Sequence, residues 1–457
     1  NSPVTPVLFN GVGGSTILWT AHTPRFHPSD FRVKTLDGVA DDWPLTYEAS
    51  EDYYDRNDEV MGCSGINGDP ANPPRKPRQM PPLPIGSDVM RLINAFEKLD
   101  WHWWPSDNYI NSEPYGEGRD ACNFCGHVHM GCFKRAKAST DLTYWPLALN
   151  NGAVIETGAR VRRVTTNSSG IATGADYVDA KGVERHQPAR SVVMAANGIG
   201  TARLLLLSKS DSHPDGLANS SGLVGKNLMF HPFAMITGVF PEKMKTWQGP
   251  LSNFAMSQEF YETDESRGFV RGYTYQFQRS LGPGWVANGG FTNAIPWGDS
   301  HHEELEKRLG SMMAIAVIGD DLPELHNSVD LDPHLTDSDG VPAPRINYTL
   351  SQNSRDLLDH GIKNATKVFE TAGATDIYVD PLMRQSGWHL MGTARMGEDS
   401  SNSVVDKWGQ AHDVDNLFII DGSVFVTGAA VNPTPTIQAL ALRTADYIIA
   451  NRNDLRG

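Results

Sequence analysis

Basic residues and long apolar runs are both scarce in this 457-residue sequence. Its 39 Lys and Arg residues face 54 Asp and Glu residues, which gives a formal net charge of −15. Nucleic acids and anionic membranes repel a surface of that sign, so neither is an expected partner. No apolar run approaches the roughly 20 residues that a membrane-spanning helix needs. The sequence therefore predicts a globular chain without a membrane span, long enough for two domains.

Cysteine is also scarce, and the few cysteines present are clustered. Three of the four lie within eleven residues, in the pattern C-x2-C-x6-C: Cys122, Cys125 and Cys132. Thiolates this close favour a metal ion or an iron–sulfur cluster. Zinc with His127 or His129 as a fourth ligand is one alternative, and a Cys122–Cys125 disulfide or free thiols is another. Cys63 stands apart and is assigned no role.

The usual dinucleotide-binding turn, Gly-x-Gly-x-x-Gly after a strand, is missing from the start of the chain. The run "NGVGGST" stands at residues 10–16 instead, with almost nothing before it. Closely spaced glycines make a loop whose backbone can approach a bulky ligand, often a phosphate. The residues of this loop predicted to approach such a ligand are Gly11, Gly13, Gly14, Ser15 and Thr16.

Two segments have α/β character. The segment "VVMAANGIGTARLLLLSKS" predicts a strand, a glycine turn and a helix, which is the βα unit of a doubly wound sheet with a ligand at its turn. Near the C-terminus, "NLFIIDGSVF" predicts a buried strand that ends in Asp421 and Gly422. The segment "TPTIQALALRTADYIIANR" then predicts a helix capped by Thr434, with Pro435 in its first turn.

The remaining segments differ in character. Alternating apolar and polar residues within 226–382 predict half-exposed antiparallel strands. The segment "SQNSRDLLDHGIKNATKVFETAG" predicts a helix ended by Gly373. Pro44, followed by a segment rich in Tyr, Glu and Asp, predicts a turn that opens an acidic, exposed helix. The aromatic stretch "WHWWPSDNY" could stack on a sugar, but a core position is the favoured interpretation.

Six blocks, in this order, resemble the glucose-methanol-choline (GMC) family of FAD-dependent alcohol oxidoreductases. They are "NGVGGSTILW", "DWPLTYEASEDYYDR", "VVMAANGIGTARLLLLS", "GLVGKNLMFHP", "WHLMGTARMG" and "NLFIIDGSVFVTGAAVNPTPTIQALALRTADYI". The pattern is most similar to the large subunits of bacterial gluconate, sorbitol or glucoside 3-dehydrogenases. The resemblance implies an α/β fold, with a doubly wound FAD-binding domain and a substrate domain built on an antiparallel sheet.

The resemblance also implies a division of the chain. The FAD-binding domain is expected to be discontinuous, over residues 1–60, 140–225 and 410–457. Residues 61–139 would form a Pro-, aromatic- and Cys-rich insertion, and residues 226–409 the substrate-binding domain. The family's ADP-binding strand and glycine turn are absent, so the sequence is interpreted as an incomplete record of a longer chain. A genuine deletion that lost FAD is the alternative.

In the resembled family, a His and a second His or Asn carry the chemistry. These positions fall on His389, in "SGWHLMGTARMG", and on Asn432, in "AAVNPTP". An imidazole suits the base that removes a hydroxyl proton while a hydride leaves for the flavin. Asn432 can bond the substrate oxygen, or it can cap the last helix. The other implied cofactor-binding residues are the glycine-loop residues with Val161, Asp421, Gly422, Asn432, Pro433 and Thr434.

The expected activity is oxidation of a CH–OH group of a sugar, polyol or sugar acid by hydride transfer to flavin N5. Related dehydrogenase subunits carry a Cys-rich segment just before residues like "AKAST", and three thiols would suit a [3Fe-4S] cluster. Such a relay implies a small subunit and a cytochrome as partners, and the bacterial relatives imply a periplasmic location. An oxygen-using oxidase and a lyase with structural flavin are the alternatives.

Overall fold

The computed structural model describes residues 2–126, 128–129, 131–280, 282–289 and 295–452. The helices in these residues are α1 (Val33–Asp37), α2 (Glu48–Met61), α3 (Ser87–Lys98), α4 (Tyr144–Asn150), α5 (Asn197–Leu207), α6 (Pro283–Ala287), α7 (His301–Arg308), α8 (Gln352–Ala372) and α9 (Thr434–Asn451). The strands are β1 (Trp104–Pro105), β2 (Arg160–Thr166), β3 (Ala172–Val178), β4 (Glu184–Pro188), β5 (Val192–Met194), β6 (Phe233–Val239), β7 (Ala255–Ser257), β8 (Tyr273–Arg279), β9 (Met312–Gly319), β10 (Ser328–Thr336), β11 (Pro342–Asn347), β12 (Asp376–Asp380), β13 (Gln410–Ala411) and β14 (Val414–Ile419).

The predicted antiparallel sheet is present, with six strands in the order β1-β7-β8-β9-β6-β12. Side chains alternate between the faces of a strand, so β8 directs Tyr275 and Phe277 to one side and Gln276 to the other. On the first side, Tyr275 bonds the Gly361 carbonyl of α8 at 2.7 Å, and Phe277 packs on Phe96 of α3. Helices α3 and α8 therefore cover one face, and the face carrying Gln276 is directed to the site described below.

The predicted βα unit is confirmed. Strand β5 pairs in parallel with β14, and the two form a three-stranded sheet in the order β13-β14-β5. Strand β5 leads directly into α5, and Asn197 at the turn adopts the left-handed φ of 66°. Strands β2, β3 and β4 form a separate antiparallel sheet beside this unit. The turn between β5 and α5 lies at the end of the sheet where a ligand of an α/β fold binds.

Residues 61–139 do not stand apart from the rest of the fold. Strand β1 pairs with β7 at the edge of the six-stranded sheet, and α3 contributes Leu92 and Phe96 to its core. Trp101 and Trp103 are partly buried and pack against the same core, which agrees with the core position favoured for the stretch "WHWWPSDNY". The domain boundaries themselves stay a prediction.

Helix α2 is acidic, as predicted, but it is not simply exposed. It packs against α9, and its Asp55 and Asp58 are buried because Arg25 pairs with both carboxylates. Helix α8 ends at Gly373, whose left-handed φ of 82° matches the predicted glycine cap. Among the described residues, no helix combines the length and the apolarity needed to cross a membrane.

Candidate active site

His389 and Asn432, the two residues predicted to carry the chemistry, lie side by side. Nδ2 of Asn432 is 3.4 Å from Nε2 of His389. His389 belongs to the loop at 388–392, which is paired through Met391 with Met229 ahead of β6. Asn432 stands just before α9. The site therefore forms where this loop meets the start of the last helix.

Two glycines fix the backbone next to His389. A Cβ added to Gly198, in the first turn of α5, would lie 2.6 Å from the Leu390 carbonyl oxygen. A Cβ added to Gly422, after β14, would lie 2.6 Å from the same oxygen. Only glycine tolerates so close a backbone approach, so the turns after both parallel strands press directly on the loop that carries His389.

A second histidine lies against His389. His231, just before β6, places its Nδ1 2.7 Å from Nδ1 of His389. Nε2 of His231 is 3.2 Å from the carbonyl oxygen of Gly428. Both imidazoles are buried. The site thus contains a hydrogen-bonded histidine pair that ends on a backbone carbonyl.

Two further polar side chains hold the amide of Asn432. Nε2 of Gln276, on β8, donates to Oδ1 of Asn432 at 2.5 Å and lies 2.7 Å from Nδ1 of His22. Nδ1 of His22 also lies 3.1 Å from Oδ1 of Asn432. With its oxygen facing Gln276 and His22, Asn432 directs its amide nitrogen to His389. The side chain therefore serves this network and does not cap α9.

Burial governs the protonation of the three histidines. It lowers the pKa of His22 to about 4 and that of His231 to about 4. Burial, assisted by the neighbouring His231, also holds the pKa of His389 well below its usual range. Transfer of a charged imidazolium into a water-poor interior is costly, which is why the neutral forms are favoured. Near pH 7 all three imidazoles are uncharged, and His389 is able to accept a proton.

The glycine loop is joined to this network through the chain that follows it. Its Gly14–Ile17 segment forms a 3-10 turn, which the left-handed Gly13 (φ 95°) precedes. Thr16 donates to the Gly13 carbonyl at 2.5 Å, and the amide of Thr140 donates to the Thr16 hydroxyl at 3.0 Å. Six residues beyond the loop the chain reaches His22, which contacts Asn432. Contact of the loop with a cofactor stays a prediction.

The start of α9 differs from the predicted cap. The helix begins at Thr434, Pro433 occupies the N-cap position, and no side chain caps the first turn. The prediction that Thr434 caps this helix is therefore wrong, because Thr434 already lies inside the first turn. The leading N–H groups keep a partial positive charge without a side-chain acceptor. An anionic or strongly polar group fits at that place.

Asp421 and Val161 occupy different surroundings. Asp421 accepts from the Thr201 hydroxyl at 2.5 Å and from the Ser423 amide at 2.9 Å, so its carboxylate ties the end of β14 to α5. Burial raises its pKa. Val161 lies on β2 opposite Tyr177 and is 44% exposed. Backbone contacts of both residues with a cofactor stay a prediction.

The cysteine cluster does not form a metal site in the part of the chain that the structure describes. Cys122, Cys125 and Cys132 are free thiols, so the Cys122–Cys125 disulfide is not formed. Within that same part, no three His, Cys, Asp or Glu side chains are arranged to hold a metal ion. His127, one of the two suggested zinc ligands, lies outside the described residues. The described residues therefore give no support to a cluster at this place.

Sequence reasoning missed His22, His231 and Gln276. His231 is the last residue but one of the block "GLVGKNLMFHP", and its place in that block is the one sequence feature that could have pointed to it. His22 is a single histidine without a motif. Gln276 and Gln278 lie on the same face of β8, and the sequence does not show which of them contacts Asn432.

Comparison with known proteins decides the family. Two protein-family sequence profiles, both described as GMC oxidoreductase, match residues 108–233 and 323–441. The 2-methyl-1,2-propanediol dehydrogenase of Mycolicibacterium austroafricanum is 43% identical over 99% of this chain and 83% of its own. The chain belongs to the GMC oxidoreductase family. It is thus an enzyme of a family that acts on alcohol groups.

Other relatives of this GMC protein agree. The fructose dehydrogenase large subunit of Gluconobacter japonicus is 30% identical over 98% of this chain and 81% of its own. A solved structure of formate oxidase from Aspergillus oryzae superposes on this chain with a TM-score of 0.60. That structure concerns the effect of a mutation on the modification of its FAD. It is 15% identical and covers 97% of this chain and 84% of its own, which shows the shared fold.

FAD, the cofactor of the GMC family, fits the residues around the site. The start of α9 offers N–H groups without a side-chain cap. Gly14 has open space where a Cβ would project. Among the described residues, Nε2 of His22 is buried beside Asn432 without a hydrogen-bond partner. An open glycine loop, a helix N-terminus and free polar atoms suit the phosphate and polar groups of a flavin nucleotide.

Proposed function

We propose that this GMC protein is an FAD-dependent dehydrogenase that oxidises a CH–OH group of a small polyol, sugar or sugar acid, including diols. The observation that carries the proposal is the His389–Asn432 pair, with a neutral imidazole nitrogen 3.4 Å from an oriented amide. An unprotonated base beside a hydrogen-bond donor suits an alcohol oxygen that is losing its proton. The pair lies beside the elements that fit FAD.

The chain's own residues would act on the hydroxyl group. Nε2 of His389 takes the hydroxyl proton, and Nδ2 of Asn432 donates a hydrogen bond to the same oxygen. When bound, FAD supplies the acceptor for the hydride that leaves the carbinol carbon. Loss of one proton and one hydride converts the alcohol into a carbonyl compound. Gln276 and His22 hold the Asn432 amide at the required angle.

The face of the six-stranded sheet beside Asn432 supports a substrate with more than one hydroxyl group. Thr274 and Gln278 share the face of β8 that carries Gln276, and both are buried. Oγ1 of Thr274 and Oε1 of Gln278 lack hydrogen-bond partners among the described residues. Buried polar atoms are ordinarily paired, so a second hydroxyl group on the substrate is a fitting partner. The similarity to a diol dehydrogenase supports the same substrate class.

The electrons are proposed to leave through a partner protein, such as a small subunit and a cytochrome. Similarity to a protein named as the large subunit of fructose dehydrogenase supports such an assembly. A [3Fe-4S] cluster at Cys122, Cys125 and Cys132 would be the relay within this chain, and the spacing of the three cysteines in the sequence is its support. The periplasmic location rests on resemblance alone. Iron analysis of the purified protein shows whether the cluster is present. Iron-free protein that produces peroxide at full turnover indicates an oxidase.

Anaerobic flavin reduction tests the proposed reaction. The holoenzyme is mixed with 2-methyl-1,2-propanediol, fructose, sorbitol or gluconate, and the visible absorption of oxidised flavin is followed. Bleaching by at least one of them is expected, and 2-methyl-2-propanol is the control because its carbinol carbon has no hydrogen. Flavin that stays oxidised with every CH–OH compound contradicts the proposal, and product formation without bleaching indicates a lyase.

A further inference from the structure

Hydrogen bonds link Gly428, His231, His389 and Asn432 in a single line. The Gly428 carbonyl lies 3.2 Å from Nε2 of His231, whose Nδ1 lies 2.7 Å from Nδ1 of His389. Nε2 of His389 then lies 3.4 Å from the amide nitrogen of Asn432. The two ends of the line are fixed chemically, because a carbonyl oxygen only accepts and an amide NH₂ only donates.

These fixed ends determine where each proton lies. Nε2 of His231 must donate to the Gly428 carbonyl, so a neutral His231 has a bare Nδ1 that accepts. Nδ1 of His389 must then carry the proton and donate to it. Nε2 of His389 is left bare, and it is the atom that the Asn432 amide faces. Gln276 supports this orientation of the Asn432 amide. Nε2 of Gln276 donates to Oδ1 of Asn432, so the amide nitrogen of Asn432 is the atom that faces His389.

The surroundings favour two neutral imidazoles over a charged pair. His231 is 1% exposed and His389 is 7% exposed. The nearby Asp321 carboxylate is occupied elsewhere, by the Tyr348 hydroxyl at 2.8 Å and the Phe230 amide at 3.0 Å. With burial opposing a cation on either ring, the proton count stays at one per imidazole, as the assignment above requires.

We propose that His231 is a positioning residue that holds His389 in the tautomer with a bare Nε2. This inference rests on the proposed function, since it names the residue that keeps the base ready. The lone pair on His231 also receives the Nδ1–H of His389 after His389 has gained the substrate proton. A hydrogen bond from a charged donor is stronger than one from a neutral donor, so the resulting imidazolium is stabilised. A histidine partner does this without placing a negative charge in the buried site.

Two substitutions separate this role from simple packing. His231→Leu fills space but offers no acceptor, so His389 is free to move its proton to Nε2 and lose its basic atom. We expect kcat for flavin reduction to fall about 100-fold with KM little changed, because a misplaced base forfeits most of its 10²–10⁴-fold contribution. His231→Asn keeps an acceptor near the position of Nδ1, and we expect it to recover at least tenfold of that loss. His412→Leu, remote from the site, is the matched control and should retain the wild-type rate.

The tautomer itself is measured by NMR of the holoenzyme with ¹⁵N-labelled histidine, in which His389 is assigned by its absence from His389→Asn. The expected spectrum shows the proton of His389 on Nδ1. A proton on Nε2 overturns the proposal, as does a His231→Leu variant that folds, retains FAD and reduces it at the wild-type rate. The spectrum reports the tautomer even if no alcohol reduces the flavin, so failure of the proposed function and failure of this inference are distinguishable.

Discussion

Nδ2 of Asn432 and Nε2 of His389 are 3.4 Å apart, although 43 residues separate them in the sequence. Both the loop that carries His389 and helix α9 pack on the turn after β14, where a Cβ added to Gly422 would lie 2.6 Å from the Leu390 carbonyl oxygen and 3.4 Å from Ile437 of α9. Gly198 and Gly422 press on the Leu390 carbonyl beside His389, and Asn432 leads into α9. The geometry of the proposed site therefore depends on backbone packing as well as on the side chains that bond each other.

Gly198→Ala is expected to disturb the site without touching a polar side chain. The new Cβ would meet the Leu390 backbone at 2.6 Å, and backbone atoms cannot rotate aside. We expect a loss of about 1–3 kcal/mol in the free energy of unfolding, together with slower flavin reduction because His389 shifts. Gly284→Ala in α6 is the matched control, since an added Cβ there meets nothing within 4 Å. Equal melting temperatures and equal rates for Gly198→Ala and wild type contradict this account of the loop.

Gln276→Leu is expected to slow the reaction while FAD stays bound. The substitution removes the donor to Oδ1 of Asn432 and leaves that amide free to rotate. Loss of one hydrogen bond of about 1–1.5 kcal/mol corresponds to roughly tenfold in the rate of flavin reduction. Stopped-flow reduction measures it, with the exposed Gln187→Leu on β4 as control. A rate within twofold of wild type means that Gln276 does not orient Asn432.

Arg271→Met tests a buried ion network outside the site. Arg271 pairs with Asp30, with Asp320 at 2.9 Å and with Asp37 at 3.3 Å, and its side chain is 1% exposed. Removal of the cation leaves buried carboxylates without a positive partner, which costs about 3–5 kcal/mol of the free energy of unfolding. Denaturant unfolding measures the loss, and the exposed Arg355→Met should be near neutral. A loss below about 1 kcal/mol shows that the network adds little to stability.

Asp321 is expected to make stability depend on pH. Burial raises its pKa to about 7, from a usual value of 3.8. Between those values the folded protein holds a proton that the unfolded chain has lost, so this residue's stabilisation is lost as pH rises towards 7. Asp321→Asn removes that dependence, and its melting temperature relative to wild type should increase between about pH 5 and about pH 8. A constant difference across that range shows that Asp321 is ionised throughout.

The parts of the fold that follow local patterns could be predicted from the sequence. The βα unit at β5 and α5 and the end of α8 at Gly373 depend on strand patterning and on single glycines, and both are observed. The blocks containing His389 and Asn432 identified the two residues that meet. Their distance could not be derived, because it depends on how Gly198 packs on the loop.

The parts that were missed depend on partners distant in the sequence. Asp58 of α2 is buried because Arg25 and Arg78, from loops, reach it, and no helical period reveals such partners. His22 joins the site through a bridge between its backbone and that of Asn108, followed by contact with β8. The cap of α9 was placed one residue too late, at Thr434, because Pro433 takes the N-cap position.

The central claim is that His389 removes the hydroxyl proton. His389→Ala measures it most directly, through the rate of anaerobic flavin reduction by a substrate that bleaches the wild-type enzyme. His326→Gln, an exposed histidine, is the control, and the flavin absorption of the purified variant shows that FAD is retained. The account predicts a rate at least 100-fold below wild type with FAD still bound, since a positioned base contributes about 10²–10⁴-fold. A rate within about tenfold of wild type would contradict the assignment of His389 as the base.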